Sequence, residues 1–275
     1  KERLNVVLVS LDTVRPDHLS SYGYDRQTTP NLDQVADEGV LFTQAFSQGV
    51  NTFPSHLSIF TSRYPTKPWV SWRQDDLNPA TETLTEVLKH EGYATAAFTN
   101  FDRTPLVQQL LTLRPFRAFD HRVENVALKA LPEQLFQWLA EHRTEPFFLF
   151  LHGFDAHEPH VLPIQYDGKR FDPSYQGRVP SSFVQLRRER SLLFDELREQ
   201  RHDVLREVYM KLLGAPNPPL PRDLEHARAV YDAQIYYLDR GLGRLFQALE
   251  NLDLAERTLV VVLSDHGQAF AEHEQ

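Results

Sequence analysis

The sequence contains no cysteine among its 275 residues. Disulfide frameworks, thiolate metal sites and cysteine nucleophiles are therefore excluded. Long hydrophobic runs are also missing, because the apolar stretches near residues 6 and 260 are far shorter than the roughly 20 residues that span a bilayer. The chain has no excess of positive charge, since its formal net charge is −9. This balance argues against a nucleic-acid scaffold, which needs clustered positive charge, but it says little about a small anionic substrate.

What is present fits one large domain over residues 1–275, with 41% hydrophobic and 24% charged residues, as in ordinary soluble proteins. The chain begins at Lys1 and enters a strand within a few residues, which suggests an upstream signal or anchor segment that has been removed. Helix-like and strand-like segments alternate, and this pattern predicts a three-layer α/β/α fold with a mostly parallel central sheet. The predicted strands cover 5–12, 40–46, 93–99, 147–151 and 260–264, and the predicted helices cover 30–39, 54–61, 82–90 and 124–143.

A charged stretch interrupts this alternation and predicts a helical insertion around residues 163–222. Between residues 180 and 213 it carries six arginines interspersed with six acidic residues. Such a balance is most often a solvated helix face, although a cap or binding surface is the alternative. Beyond it, an apolar stripe at helical spacing predicts a helix packed on the sheet. The stripe consists of Ile235, Leu238, Leu242, Leu245 and Leu249.

Two buried-strand patterns end in aspartate, at Asp12 and at Asp265-His266. Ligand sites of open α/β sheets form beyond the carboxyl ends of the strands, so both carboxylates should face the same crevice. Carboxylate oxygens with an imidazole suit Zn²⁺, Mn²⁺ or a related divalent ion. The alternative for each aspartate alone is a helix cap.

Thr52 lies just ahead of Pro54, at the predicted start of a helix. The positive end of a helix favours an anion, and a metal beside Thr52 would help its hydroxyl to ionise. These features indicate a nucleophile that attacks a phosphoryl or sulfuryl centre. A capping role for Thr52 and Ser55 is the alternative, and the two interpretations are compatible.

A third group of polar residues, His152 to His160, follows the predicted strand 147–151. His157 could protonate a leaving oxygen, and Asp155 with His157 could hold a second metal. We expect at least one of His152 and His160 to be a solvated or hydrogen-bonded residue without a chemical role.

Several segments in this order resemble the sulfatase family of the alkaline phosphatase superfamily, and the resemblance covers nearly the whole chain. These are residues 5–19, 22–24, 29–33, 39–42, 231–239 and 264–267. The resemblance implies the alkaline phosphatase fold, with this chain ending before the small carboxyl-terminal subdomain. It also implies that Asp12, Thr52, Asp265 and His266 bind a divalent metal ion, which could be Ca²⁺, Mn²⁺, Zn²⁺ or Mg²⁺.

The same resemblance marks departures around the nucleophile. Sulfatases place a formylglycine-forming Cys or Ser ahead of x-Pro-Ser-Arg, whereas this chain has Thr52-Phe53-Pro54-Ser55-His56. Oxidised threonine would be a ketone, so a formylglycine is ruled out. Thr-Phe-Pro-x-His is similar to the nucleophile motif of nucleotide pyrophosphatases and phosphodiesterases. The resemblance also implies substrate-binding positions at His56, Asn100 and Asp155, with His157 as the acid.

The sequence therefore predicts a metal-dependent hydrolase of sulfate, phosphate or phosphonate esters, with phosphoryl chemistry through Thr52 favoured. Its substrate would be a small anionic ester. The alternatives are a phosphoglycerol or phosphoethanolamine transferase and a degenerate member that binds anions without turnover. The family resemblance favours an extracytoplasmic location, and the sequence leaves the oligomeric state open.

Overall fold

The computed structural model of the protein describes residues 3–65, 80–100, 114–177, 179–182, 185–186, 220–270 and 272. Its strands are β1 (Asn5–Leu11), β2 (Ala94–Thr99), β3 (His121–Glu124), β4 (Phe147–Gly153) and β5 (Thr258–Ser264). Its α-helices are α1 (Pro30–Glu38), α2 (Thr52–Thr61), α3 (Leu84–His90), α4 (Arg114–Arg117), α5 (Glu133–Glu141) and α6 (Pro221–Asn251). Short 3₁₀ helices cover Pro16–His18, Ser20–Tyr22, Leu128–Ala130 and Ala255–Arg257.

The five strands form one sheet in the order β3-β2-β4-β1-β5, and every pairing between them is parallel. The predicted parallel sheet is thus confirmed. Strand β4 is buried along its whole length, as expected for a continuous apolar run covered on both faces. β1 and β4 lie inside the sheet, so their carboxyl ends are flanked by neighbouring strands on both sides.

The side chains of β4 show the three layers directly, because successive residues point to opposite faces. Phe147, Leu149 and Leu151 pack into one core cluster, which also contains residues of α1, α5 and α6. Phe148 and Phe150 pack into a second cluster with residues of α2. The sheet therefore lies between two helical layers.

Helix α6 anchors one of these layers and confirms the predicted apolar stripe, all of which is buried. Asp239 on α6 accepts hydrogen bonds from Asn31 N at 3.0 Å and Leu32 N at 2.9 Å, and so satisfies two amides in the first turn of α1. Gly241 allows close packing, since a Cβ there would lie 1.8 Å from the carbonyl oxygen of Leu128.

Two predicted elements are wrong. Residues 40–46 form no strand, and Val40 and Phe42 are 79% and 70% exposed, because no strand of the described sheet lies beside them. The predicted helix 124–143 is confined to Glu133–Glu141. The left-handed φ of 63° at Asn125 ends β3, and Pro132 then takes the N-cap position of α5.

The predicted insertion can be followed only in part. Its start, residues 163–177, contains turns and no regular helix, while most of the charged stretch lies outside the described residues. In the described part of the chain, no helix is both long enough and apolar enough to cross a bilayer.

Candidate metal centre

Asp12 and Asp265 lie at the carboxyl ends of the adjacent strands β1 and β5, and both are almost completely buried. Asp265 Oδ1 accepts hydrogen bonds from Thr13 N at 3.2 Å and from His266 N at 2.8 Å. Asp265 Oδ2 is buried and accepts no hydrogen bond in the described part of the chain. Because a buried carboxylate oxygen without a donor is costly, this oxygen fits a site for a cation.

Thr52 is the first residue of α2, and Asn51 occupies the N-cap position. The hydroxyl of Thr52 donates to Asp12 Oδ2 at 3.2 Å and lies 3.2 Å from His266 Nε2. The side chain of Thr52 therefore points to the two strand ends, and it does not cap its own helix. The convergence of Asp12, Thr52, Asp265 and His266 that we expected is present, while their roles in binding and catalysis stay predictions.

Three histidines lie around the two carboxylates, and in each of them Nδ1 is hydrogen-bonded to a backbone carbonyl. Nδ1 of His266 donates to Gly267 O at 2.9 Å, Nδ1 of His152 to Asn100 O at 3.1 Å, and Nδ1 of His56 to Thr52 O at 2.7 Å. A carbonyl only accepts, so each of these bonds places a proton on Nδ1, and in a neutral ring the lone pair is then on Nε2. Nε2 of His152 also faces an acceptor, Asp12 Oδ2 at 3.2 Å. Metal-binding histidines are commonly fixed in this way.

Burial controls the charge of these groups. It lowers the pKa of His56 to about 4, and the nearby His152 lowers it further in the same direction. Burial also lowers the pKa of His152 to about 4. For Asp265, burial and the adjacent Asp12 raise the pKa. At neutral pH both buried imidazoles are therefore neutral, which is the form that binds metal ions.

Among the residues that the structure describes, two groups of side chains each offer three ligand atoms within 4.8 Å of one another: Asp12 with Asp265 and His266, and Asp265 with His56 and His152. The first group contains the ligands expected from the sequence, with Thr52 beside them. Carboxylate oxygens and imidazole nitrogens of this number suit Zn²⁺ or Mn²⁺. Asp265 belongs to both groups.

The other predicted site residues lie around the end of β4. Asn100 follows β2, and its carbonyl accepts from His152. Asp155 accepts from Leu128 N at 2.8 Å and from Lys129 Nζ at 2.7 Å, contacts that hold the 3₁₀ helix Leu128–Ala130. A second metal shared by Asp155 and His157 is not among the ligand groups of the described residues.

His157 lies in the loop after β4, stacked on Phe154 with ring centroids 4.1 Å apart. Its Nδ1 lies 2.8 Å from the carbonyl of Glu158, so Nε2 carries the lone pair. His160 is buried, and its Nδ1 lies 2.9 Å from Gln234 Oε1. This hydrogen-bonded His160 agrees with our expectation for one of the two outer histidines of this segment.

His152 is the residue that the sequence interpretation left without a role. It is the penultimate residue of β4, beside Ser10 of β1, and is fully buried, with Nε2 only 3.2 Å from Asp12 Oδ2. The position of His152 at the carboxyl end of an interior parallel strand is the signal that could have identified it, since the same reasoning identified Asp12 and Asp265.

Comparison with known proteins finds similarity to sulfatases along nearly the whole chain. The sulfatase family profile matches residues 4–275. Iduronate 2-sulfatase of Homo sapiens is 28% identical over 324 aligned positions, which cover 99% of this chain and 56% of that protein. The chain thus spans about half the length of the curated relatives that match nearly all of it.

Solved structures of distant relatives share the fold. The phosphonate monoester hydrolase of Agrobacterium radiobacter has a TM-score of 0.69 at 20% identity, covering 99% of this chain and 64% of that one. The C-terminal periplasmic domain of EcEptC from Escherichia coli has a TM-score of 0.63 at 18% identity, covering 100% and 66%. With the profile matching almost every residue, the chain belongs to the sulfatase family.

Proposed function

We propose that this protein is a divalent-metal-dependent hydrolase of phosphate or phosphonate esters that uses Thr52 as its nucleophile. The observation that carries the proposal is the position of the Thr52 hydroxyl, 3.2 Å from both Asp12 Oδ2 and His266 Nε2. A hydroxyl in the first turn of a helix, beside buried carboxylates that suit a cation, is the arrangement that an activated nucleophile needs. We assign the ion to Asp12, Thr52, Asp265 and His266.

The reaction takes place in two displacements. Thr52 Oγ1 forms a bond to phosphorus while the bond from phosphorus to the leaving alcohol oxygen breaks. Asp12 Oδ2, 3.2 Å away, accepts the hydroxyl proton of Thr52, and the imidazolium form of His157 gives its Nε2 proton to the leaving oxygen. Water then cleaves the phosphothreonine ester and restores the hydroxyl. A divalent ion supplies charge stabilisation for the nucleophile and the anionic ester when it is bound.

Phosphate is favoured over sulfate because of the chemistry of threonine. Without a formylglycine, sulfate cannot leave by elimination from a gem-diol, and a sulfated threonine would have to be cleaved by water. The remaining residues at substrate-binding positions are His56, Asn100 and Asp155. Of these, His56 has no exposed surface and Asp155 is bonded to Lys129, so Asn100 is the one for which we retain direct substrate contact.

The first test compares hydrolysis of bis-p-nitrophenyl phosphate with that of p-nitrophenyl sulfate, with Mn²⁺ or Zn²⁺ added. Wild type should cleave the phosphodiester, and Thr52→Ala should lower the rate by about 1,000-fold or more, since it removes the nucleophile. Thr52→Ser is the matched control and should retain turnover, because it keeps the hydroxyl. Mass spectrometry should find a p-nitrophenyl phosphate group esterified to Thr52 in acid-quenched samples.

Full turnover by Thr52→Ala would contradict the mechanism, and metal binding without any turnover would favour the anion-binding alternative. Faster release of p-nitrophenol when glycerol is added, with the p-nitrophenyl phosphodiester of glycerol as the product, would indicate a transferase.

The role of His157 has its own test, which uses leaving groups of different basicity. A proton donor matters most when the leaving oxygen is a strong base, so His157→Ala should slow alkyl phosphonate esters far more than p-nitrophenyl esters. An equal loss of rate for both kinds of ester would instead mean that His157 binds the substrate or orders the loop.

We also infer an extracytoplasmic location for the enzyme. The support is the family resemblance together with the structural likeness to a domain described as periplasmic. Cell fractionation with an antibody against the chain would test this, and recovery with cytosolic markers alone would contradict it.

A further inference from the structure

We propose that Tyr231 is a positioning residue of the candidate metal centre, because its hydroxyl holds the turn that places the backbone amide of Thr13 on Asp265. The inference rests on the proposed function in one respect, namely that Asp12 and Asp265 bind an ion. Tyr231 lies on α6, is 0% exposed, and has no part in the displacement described above.

The turn after β1 contains an unusual backbone conformation. Asp12 N still donates to Gly153 O at 2.9 Å, and Thr13 directly after it has a φ of 62°. A left-handed φ is a true outlier for a β-branched residue and costs free energy, so it persists only where the surrounding structure holds it. Glycine adopts the same φ without this cost. A threonine at this position therefore needs groups that keep the turn in place.

The hydroxyl of Tyr231 is such a group, because it bonds to the turn on both sides. It donates to Thr13 O at 2.8 Å and accepts from Arg15 N at 2.9 Å. Donor and acceptor of the phenol are thus both used on the backbone of one short segment. Since Thr13 is buried, its carbonyl would lose a partner that water cannot readily replace. The hydroxyl therefore fixes the path of residues 13–15.

The turn matters to the candidate centre because of the bond that the Thr13 amide makes. Thr13 N donates to Asp265 Oδ1 at 3.2 Å and so links the end of β1 to the end of β5. Asp12, the preceding residue, offers a ligand atom within 4.8 Å of one from Asp265. A change in the turn would therefore alter how the two carboxylates face each other. Groups that orient metal ligands in this way commonly change metal affinity by about 10- to 100-fold when they are removed.

The ring of Tyr231 is held separately from its hydroxyl. It meets His18 edge to face at 5.0 Å, and the rings of His160 and Phe270 are each 5.2 Å away. Tyr231→Phe keeps the ring that makes these contacts and removes only the two hydrogen bonds to the turn. Tyr237 offers the matched control, because it is a buried tyrosine of the same helix whose hydroxyl accepts from Asp167 N at 3.0 Å, outside the candidate centre.

The affinity for Zn²⁺ tests the proposal without any assay of turnover. The protein is stripped of metal and titrated with Zn²⁺ in competition with a chromophoric chelator. Tyr231→Phe should weaken binding by about 10-fold or more, and Tyr237→Phe should leave it unchanged. Thr13→Gly, added to Tyr231→Phe, should recover most of this loss, since glycine keeps a left-handed φ without the tyrosine hydroxyl. Thr13→Val should not, because it keeps the β-branched side chain and removes only the threonine hydroxyl.

Amide hydrogen exchange, followed by NMR in EDTA, tests the turn in the absence of metal. Tyr231→Phe should speed exchange of the Thr13 amide by about 10-fold relative to amides of β4, because the turn then opens locally. Tyr237→Phe should leave this ratio unchanged. The comparison with β4 separates an opening of the turn from a loss of global stability.

Unchanged Zn²⁺ affinity or unchanged exchange at Thr13 in Tyr231→Phe would overturn the proposal. Recovery by Thr13→Val as complete as that by Thr13→Gly would also overturn it, and so would a loss that Thr13→Gly does not recover, since Tyr231 would then act through the core. Failure of the proposed function shows separately, as wild type that binds no Zn²⁺ or as turnover independent of Thr52. The exchange measurement would still decide whether Tyr231 holds the turn.

Discussion

The substitution Asp265→Asn should change stability in opposite directions in the absence and in the presence of metal. Without metal, the carboxylates of Asp12 and Asp265 lie within 4.8 Å of each other in a buried site. Two unit charges at that distance repel by roughly 3 kcal/mol at an effective dielectric constant of about 20. An asparagine removes one charge and still accepts hydrogen bonds from Thr13 N and His266 N. The metal-free variant should therefore be more stable by about 1–3 kcal/mol.

With metal the sign reverses, because the substitution removes a ligand shared by both cation groups. An ion at 100 times its dissociation constant stabilises the folded protein by about 2.7 kcal/mol through mass action. Asp265→Asn should lose most of this stabilisation, so that wild type becomes the more stable protein. This reversal, with the variant more stable in the absence of metal and wild type more stable in its presence, is the result that specifically identifies Asp265 as a metal ligand.

Urea unfolding, followed by tryptophan fluorescence in EDTA and again in saturating Zn²⁺, measures both differences. Asp37→Asn is the matched control, since it removes an exposed carboxylate on α1 and should leave both free energies unchanged within about 0.5 kcal/mol. If Asp265→Asn destabilises the protein in EDTA, electrostatic repulsion is not the dominant effect at this position. If the variant keeps the full response to Zn²⁺, Asp265 is not a ligand.

Three further predictions concern the scaffold, each checked by urea unfolding. Gly241→Ala should destabilise the protein by about 3 kcal/mol or more, because the added Cβ meets the backbone of Leu128 at 1.8 Å; unchanged stability would show that α6 shifts at little cost. Asp239→Ala should cost about 2–4 kcal/mol, since it leaves two amides of α1 without their acceptor, whereas Asp239→Asn should cost less. Burial lowers the pKa of His160 to about 4, so between about pH 6.5 and pH 4 the unfolded chain binds a proton at this residue and the folded chain does not. The free energy of unfolding should therefore fall as the pH drops from 6.5 to 4. His160→Gln should flatten that slope by about one proton, and an unchanged slope would contradict the assignment.

The sequence predicted the sheet well because its strands are strongly patterned. The apolar runs of β1, β4 and β5 could be recognised without any tertiary information, and their parallel pairing followed from the alternation with helices. Strand β3 was missed because it has only four residues, three of them exposed and polar. Its pairing with β2 is a tertiary effect that no local pattern encodes.

The candidate site was predictable to the same degree. Asp12, Asp265 and His266 could be placed together because parallel strands bring their carboxyl ends to one edge. The tautomers of His56 and His152 could not be predicted, since they depend on carbonyls of Thr52 and Asn100 that only the folded backbone positions. Nor could the sequence show that Asp155 would be bonded to Lys129, because that contact depends on the path of the 3₁₀ helix Leu128–Ala130.

The pairing of β1 with β5 has a consequence for how the protein matures in the cell. Thr13 and Asp265, which meet at the candidate centre, are 252 residues apart, so the stretch of chain between them must leave the ribosome before the proposed metal ligands can meet. A nascent chain has β1 and its aspartate long before it has the partner strand, and the cost of closing so long a loop makes this contact a late one. If these residues bind a metal ion as proposed, its capture is coupled to completion of the sheet, and chains that end before β5 should be poor scavengers of Zn²⁺ or Mn²⁺.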